Sequence, residues 1–276
     1  DGSATFTGTA TSGPFTTLTG FVSSDMGSTV TLTASTANAN TTNNYFSSIV
    51  SIINTSGQNV TGNYVLTSTS YNATTNAATI TPATLTVTGT KTYNGTNSFI
   101  NSNSNLSITG FVNNETMGTG VSYSATANSA NVLPGSNYFT GVNWTGGTGA
   151  TALTSNYQLA SAYNATTNVA TINPATLTYV ATPTTSTYGA TPSVNAGTVT
   201  GWVNGDTQAS ATTGTALFSS TATSASNTGS YAINGSGLTA NNGNYTFVQD
   251  AGNATALTIN PATLTYVATP TTSTYG

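Results

Sequence analysis

Only six of the 276 residues carry charge, and three of the six recur at one place in a repeated phrase. Asp25 ends "TGFVSSD", Glu115 ends "TGFVNNE" and Asp206 ends "TGWVNGD". Carboxylates kept in register could hold a cation or act as acid and base. Calcium takes about six to eight oxygen ligands, yet each phrase supplies one acid, joined only in the third by Asp250. Glycoside hydrolysis needs two carboxyl groups about 5–10 Å apart, so the same count argues against it. The expected role of Asp25, Glu115 and Asp206 is therefore in turns, with the carboxylate accepting backbone N–H bonds. Lys91 is the sole basic side chain. A Lys–Asn cross-link needs a carboxylate beside the amine, and with one lysine in the chain it is no general device. His and Cys are both missing. That removes the usual base of acyl transfer and every imidazole or thiolate metal site. The expectation is no enzyme, no metal and no cofactor.

The elements that position these groups belong to an unusual background. Charged residues make up 2% of the chain, against about a quarter in an ordinary soluble domain. One lysine and no arginine leave no footprint for nucleic acid or for an acidic membrane surface. No apolar run is long enough to span a bilayer as a helix. The start shows no basic stretch followed by an apolar core, so either a signal was removed or the chain is an internal piece. Net charge is −4, and 14 Tyr and two Trp add area to bury, so the chain is expected to fold. Scarce charge also removes repulsion between copies and at sheet edges, which favours association. Asn-X-Ser/Thr triplets such as those at Asn72, Asn164 and Asn253 follow from a composition rich in Asn, Ser and Thr. Thr-X-Thr runs are too short and interrupted for an ice-binding plane.

The chain repeats itself with a period near 90 residues. Pro82, Pro174 and Pro261 stand 92 and 87 apart, and "YNATTNAATI" from Tyr71 matches "YNATTNVATI" from Tyr163. Asn63–Tyr64, Asn156–Tyr157 and Asn244–Tyr245 hold the same spacing, and Asn44–Tyr45–Phe46 is answered by Asn137–Tyr138–Phe139. A period this long suits a domain rather than one coil of a solenoid. Three modules are expected, at residues 1–80, 81–172 and 173–259, with 260–276 opening a further one. Phe21, Phe111 and Trp202, with Tyr64, Tyr157 and Tyr245, recur beside turns and are expected as core anchors. The competing reading of these aromatics is a sugar-binding face.

Each module reads as strands. In "ATLTVTGT" Leu85 and Val87 alternate with Thr, as do Leu177 and Tyr179 in "ATLTYVAT". Asn-Gly pairs at Asn94, Asn204, Asn234 and Asn242 signal turns. "NYTFVQDAGNATALTIN" reads as a hairpin, with strands near 244–248 and 254–260. Strong helix formers are scarce, and no Gly/Ser or Pro-rich linker parts the modules. Pro174 and Pro261, lacking an N–H, mark where one module's last strand hands over to the next module's first.

The phrases "ATPTTSTYGATP", "GTVTGWVNGDT", "TATSASNTGSYAI" and "LTINPATLT" resemble the MBG domain of bacterial surface adhesins. "KTYNGT", "ITGFVNNE", "NYFTGVNW" and "INPATLT" resemble the related YDG domain, with Asn94 where that family usually has Asp. "DGSATF" at the start aligns with "NGTNSF" at Asn94–Phe99, so the first module begins without its opening strand. The resemblance implies tandem all-β modules in large extracellular adhesins, without catalytic activity.

"TINPATLTYVATPTTSTYG" stands both at Thr171–Gly189 and at Thr258–Gly276. Two readings of the second copy stay open. It starts a further module of a longer tandem array, or it leaves its own chain and completes the first module of a neighbour. In the second case Pro261, Leu264, Tyr266, Val267 and Tyr275 carry the assembly. The expected architecture is all-β: three tandem immunoglobulin-like sandwich modules in an end-to-end array, or β-grasp variants. The expected function is a structural segment of an extracellular bacterial fibre or adhesin stalk. Its partner is itself, head to tail or in tandem, with surface glycan or mucin binding as the alternative.

Overall fold

The computed structural model describes residues 3–9, 13, 18–39, 41–102 and 104–276. Asp1 and Gly2, which open the "DGSATF" alignment, lie outside the described residues. Among those described the protein is all-β, with strands throughout and one four-residue helix, α1 (Gln208–Ala211). The chain divides into two compact units: Asp1–Thr90 with Ser98–Asn128 and Gly135–Thr171, and Lys91–Asn97 with Ser129–Pro134 and Ile172–Gly276.

In the first unit, β1 (Thr5–Thr9), β2 (Thr29–Ala34) and β3 (Phe46–Ile53) form an antiparallel sheet. "TVTLTA" alternates, so Val30, Leu32 and Ala34 are buried while its threonines are more exposed. Val30, Leu32 and Ile52 make the core, with the Phe6 and Phe46 rings meeting edge to face at 5.2 Å. Leu18, Phe21, Tyr64 and Leu66 pack on this core and remain partly open.

The second repeat opens with β4 (Ala83–Thr84) and β5 (Thr86–Thr92), followed by β6 (Ser98–Ile100), β7 (Ser107–Thr109), β8 (Tyr123–Ala127) and β9 (Phe139–Trp144), then β10 (Tyr157–Gln158) and β11 (Asn168–Asn173). β4 runs parallel to β10, and β5 lies between β11 and β7 with Val87 opposite Ile108. Leu85 and Val87 are sealed at 1% and 0% exposure, as the alternation requires. β6, β8 and β9 make a second antiparallel sheet whose Phe99 and Phe139 rings meet at 5.0 Å. Gly89 is a glycine because a Cβ there would stand 3.0 Å from Phe139 and 3.1 Å from Phe99.

The second unit contains β12 (Ala175–Ala181), β13 (Thr184–Thr187), β14 (Gly197–Thr200), β15 (Thr212–Ser219), β16 (Gly229–Tyr231), β17 (Asn234–Ala240), β18 (Tyr245–Gln249) and β19 (Leu257–Asn260). The opening strand β12 lies between β14, antiparallel, and β18, parallel. β19 lies between β13, parallel, and β16, antiparallel, while β15 pairs with β17. Tyr179, Phe218, Ile233, Leu257 and Ile259 form the core. Asn253 ties β12 to it, accepting from the Ala181 N–H at 2.8 Å and donating to the Tyr179 carbonyl at 2.9 Å.

Two local expectations fail here for identifiable reasons. Residues 244–260 are not a hairpin. Asp250 accepts from Gly252 N–H at 2.8 Å and caps a 3-10 turn at Ala251–Thr255, which carries the chain from the sheet of β18 to that of β19. Asn234–Gly235 is not a turn, because both residues pair inside β17, opposite Ser219 and Phe218. Gly235 lies against the ring of Tyr179, where any Cβ would overlap it. Asn204–Gly205 and Asn242–Gly243 do turn, each with both residues at positive φ.

The two copies of the nineteen-residue phrase end differently. In the first, Leu177 is 0% and Tyr179 3% exposed within β12. In the second, residues 261–276 form no strand, and Leu264, Tyr266, Val267 and Tyr275 are at least 90% exposed. Pro261 is exposed as well.

Candidate functional site

The recurrent aromatics and the recurrent acids are one site, built three times. Each acid closes a tight turn: the N–H of Asp25, Glu115 and Asp206 donates to the carbonyl of Val22, Val112 and Val203 at 2.9 Å. Before each turn stands a glycine at φ near +95°: Gly20 (+97°), Gly110 (+93°) and Gly201 (+98°). The positive φ swings the following aromatic back onto its own repeat. Each tyrosine follows a second turn, at Thr61–Asn63, Thr154–Asn156 and Asn241–Gly243.

The phenols of Tyr64, Tyr157 and Tyr245 donate to Asp25 Oδ2, Glu115 Oε2 and Asp206 Oδ2 at 2.8, 2.7 and 2.7 Å. The same phenol oxygens accept the N–H of Val22, Val112 and Val203 at 3.2–3.3 Å. The preceding aromatic packs on the tyrosine ring: Phe21 on Tyr64 at 5.0 Å, Phe111 on Tyr157 at 5.1 Å and Trp202 on Tyr245 at 5.6 Å. The carboxylates thus take phenol protons, where backbone N–H groups were expected. Tyr157 and Tyr245 are buried, and the other four aromatics are half-buried.

Burial and then the neighbouring carboxylate hold these phenols protonated beyond their ordinary range. Tyr245 is pushed up to about 12, although the Val203 N–H pulls the other way. Tyr64 and Tyr157 move in the same direction for the same reasons. A protonated tyrosine bonded to a carboxylate acts here as a structural latch between two turns of one repeat.

The asparagine before each tyrosine reaches further. Asn156 Oδ1 accepts the Ala39 N–H at 2.9 Å and its Nδ2 donates to Asn38 Oδ1 at 3.1 Å, all within the first unit. Asn244 repeats this in the second unit, accepting from Val132 N–H at 2.9 Å and donating to Asn131 Oδ1 at 2.9 Å. Asn38–Ala39 and Asn131–Val132 are 93 residues apart, the repeat spacing. In both cases the asparagine of one repeat clamps a loop of the repeat before it. Asn63 holds the same place in the first repeat and is exposed. The clamp was readable only as a faint signal, since Asn38 and Asn131 occur in phrases crowded with Asn, Ser and Thr.

Tyr93 adds to the second of these contacts. Its phenol donates to Asp206 Oδ2 at 3.2 Å, and its ring meets Tyr245 at 5.3 Å. Burial and then Asp206 raise its pKa too. Lys91 holds the Tyr93 turn in place, donating to Asn94 Oδ1 at 2.9 Å and to the Thr96 carbonyl. Gly95 in that turn abuts the Asn204 side chain, and a Cβ would overlap it. Tyr188, the counterpart of Tyr93 in the third repeat, is 49% exposed.

Among the described residues no cluster of three His, Cys, Asp or Glu could hold a metal ion, and no helix is long and apolar enough to cross a membrane. Of the three sequons singled out, Asn72 and Asn164 are exposed while Asn253 is 2% exposed. No curated protein and no solved structure matches the chain. Residues 177–255, which hold the Trp202–Tyr245–Asp206 latch, match the model of the MBG domain of the YGX type.

Proposed function

We propose that the chain is a load-carrying structural segment of an extracellular bacterial fibre or adhesin stalk, in which consecutive modules are locked by side chains rather than joined by flexible linkers. The observation that carries this reading is the asparagine clamp, made by Asn156 on Asn38–Ala39 and again by Asn244 on Asn131–Val132. A contact repeated in register is what a chain needs if it transmits tension from module to module. The MBG match at residues 177–255 supports an adhesin-like setting. Scarcity of charge supports it too, because screening by salt has little to act on.

Antibodies raised against the folded chain provide the test. Immunogold on intact cells of the source organism is expected to decorate surface appendages. Gold confined to the cytoplasm of sectioned cells would overturn the proposal.

A further inference from the structure

The second and third repeats share one register but fill their cores differently. Tyr157 lies opposite Ala83 in the second as Tyr245 lies opposite Ala175 in the third, so their residues match one to one. In the third, the Tyr179 side chain reaches from β18 to β17. Its ring stacks on Phe247 at 5.5 Å and lies against Gly235, and its phenol accepts the Leu238 N–H at 3.1 Å. Gln249 closes what gap is left, accepting the Gly235 N–H and donating to the Gly235 carbonyl, both at 2.8 Å. The second repeat has Val87, Leu159 and Ser161 where the third has Tyr179, Phe247 and Gln249. All three are smaller, and a groove of about 400 Å³ opens between β9 and the segment that follows β10.

Leu85, Trp144 and Tyr157 line this groove as buried side chains, and Thr154, Gln158 and Ser161 line it as exposed ones. One wall is the outer edge of β9. The Asn101 N–H bonds the Tyr123 carbonyl, so Tyr123 and, two residues on, Ala125 turn their backbone groups towards β6. Val142, opposite Ala125, therefore turns its N–H and carbonyl outward, where no strand pairs among the described residues. Thr140 is bulged out of the same ladder, since Gly141 faces Thr126 while Phe139 faces Ala127. A bulge interrupts a ladder, so this edge is guarded against an added peptide strand. None of the six charged residues lines the groove.

We propose that this groove is a binding site for a neutral glycan. A sugar ring offers a C–H face to Leu85, Trp144 and Tyr157. Its hydroxyls both donate and accept, which is what the Val142 N–H and carbonyl and the Gln158 amide require together. A charged ligand would find no counter-charge among these groups. The volume falls in the range of small-molecule sites, about 300–1,000 Å³. Of the six recurrent aromatics Tyr157 alone lines the groove, so the site belongs to the second repeat and is distinct from the recurrent latch. The bond of Tyr157 to Glu115 holds its ring in place there.

The chain has two tryptophans, Trp144 in the groove and Trp202 in the third repeat's latch. In the full chain carrying Trp202→Phe, which places there the residue type of Phe21 and Phe111, fluorescence reports Trp144 alone. Titration with maltotriose, mannotriose, lactose and diacetylchitobiose is expected to give a saturable shift with at least one of them, and sialyllactose none. Leu159→Phe with Ser161→Gln, which copies the third repeat's fillers, is expected to weaken that binding at least about tenfold. Gln158→Ala, at an exposed position, is expected to weaken it with the circular dichroism unchanged. A panel without a saturable shift, an affinity unchanged in both variants, or a preference for sialyllactose overturns the proposal. So does a shift with an extended threonine-rich peptide and none with the sugars, which would mean strand addition. The stalk reading stands apart from this result and is decided by surface labelling.

Discussion

Tyr157 donates its phenol proton to Glu115 Oε2 at 2.7 Å while its oxygen accepts the N–H of Val112, so one side chain ties down both ends of a turn that lies 42 residues away. Replacing Tyr157 with Phe keeps the ring on Phe111 and removes only these two bonds. The Val112 N–H and the Glu115 carboxylate are then left short of partners. The expected cost is on the order of 1–3 kcal/mol, read as a shift of the urea midpoint at constant slope. An unchanged midpoint would show that water replaces the phenol at no cost.

The three asparagines offer a graded series. Asn63 is exposed, Asn156 is half-buried and Asn244 is 6% exposed. Asn63→Ala is expected to change stability by less than about 0.5 kcal/mol. Asn156→Ala and Asn244→Ala should each cost about 1–3 kcal/mol, with Asn244→Ala the larger because Asn244 is itself the more buried. Hydrogen exchange localises the effect: Asn156→Ala should speed exchange at Ala39, and Asn244→Ala at Val132. Equal, unlocalised effects would remove the clamp as their cause.

Stability should fall in alkali and not before. Tyr245 keeps its proton to about 12 in the folded chain and loses it near 10 when unfolded. Between those values the folded state binds the extra proton, so its stabilising contribution is complete below about pH 10 and is lost as pH rises towards 12. Tyr64, Tyr93 and Tyr157 act in the same sense. Urea midpoints taken between pH 7 and 12 should hold steady and then drop. The Tyr245→Phe variant should show a shallower drop.

Two Asn-Gly pairs make a matched comparison. Gly205 sits at φ +73° with open space around it, so Gly205→Ala should cost about 1 kcal/mol from backbone strain. Gly235 has ordinary strand geometry but lies on the Tyr179 ring. Gly235→Ala should therefore cost about 1–3 kcal/mol by overpacking the core, with a disturbed Tyr179 signal in near-ultraviolet circular dichroism. A smaller loss at Gly235 than at Gly205 would contradict this assignment.

Strand character, the repeat and the handover at Pro174 were all legible in the residues, because alternation and a missing N–H act locally. Leu85, Val87, Leu177 and Tyr179 point inward as their spacing requires. The paired roles of Tyr157 and Glu115 were not legible as a bond. Both recurred in register, but 42 residues separate them, and nothing in either phrase names the other as its partner.

The amino-acid order alone settled what these residues can be: β-branched and aromatic side chains at period two make strands, and the near absence of charge, His and Cys leaves little chemistry for a site. Tertiary structure decided what each recurrent residue does, since that depends on which strand lies beside it. Asn234–Gly235 has the composition of a turn, yet it pairs within β17 because Tyr179 needs the space above Gly235. The phrase "PATLTYVATPTTSTYG" is the sharpest case. Where strands flank it Leu177 is wholly buried, and where none does Leu264 is 92% exposed. Burial is a property of the neighbours, and identical residues cannot specify it by themselves.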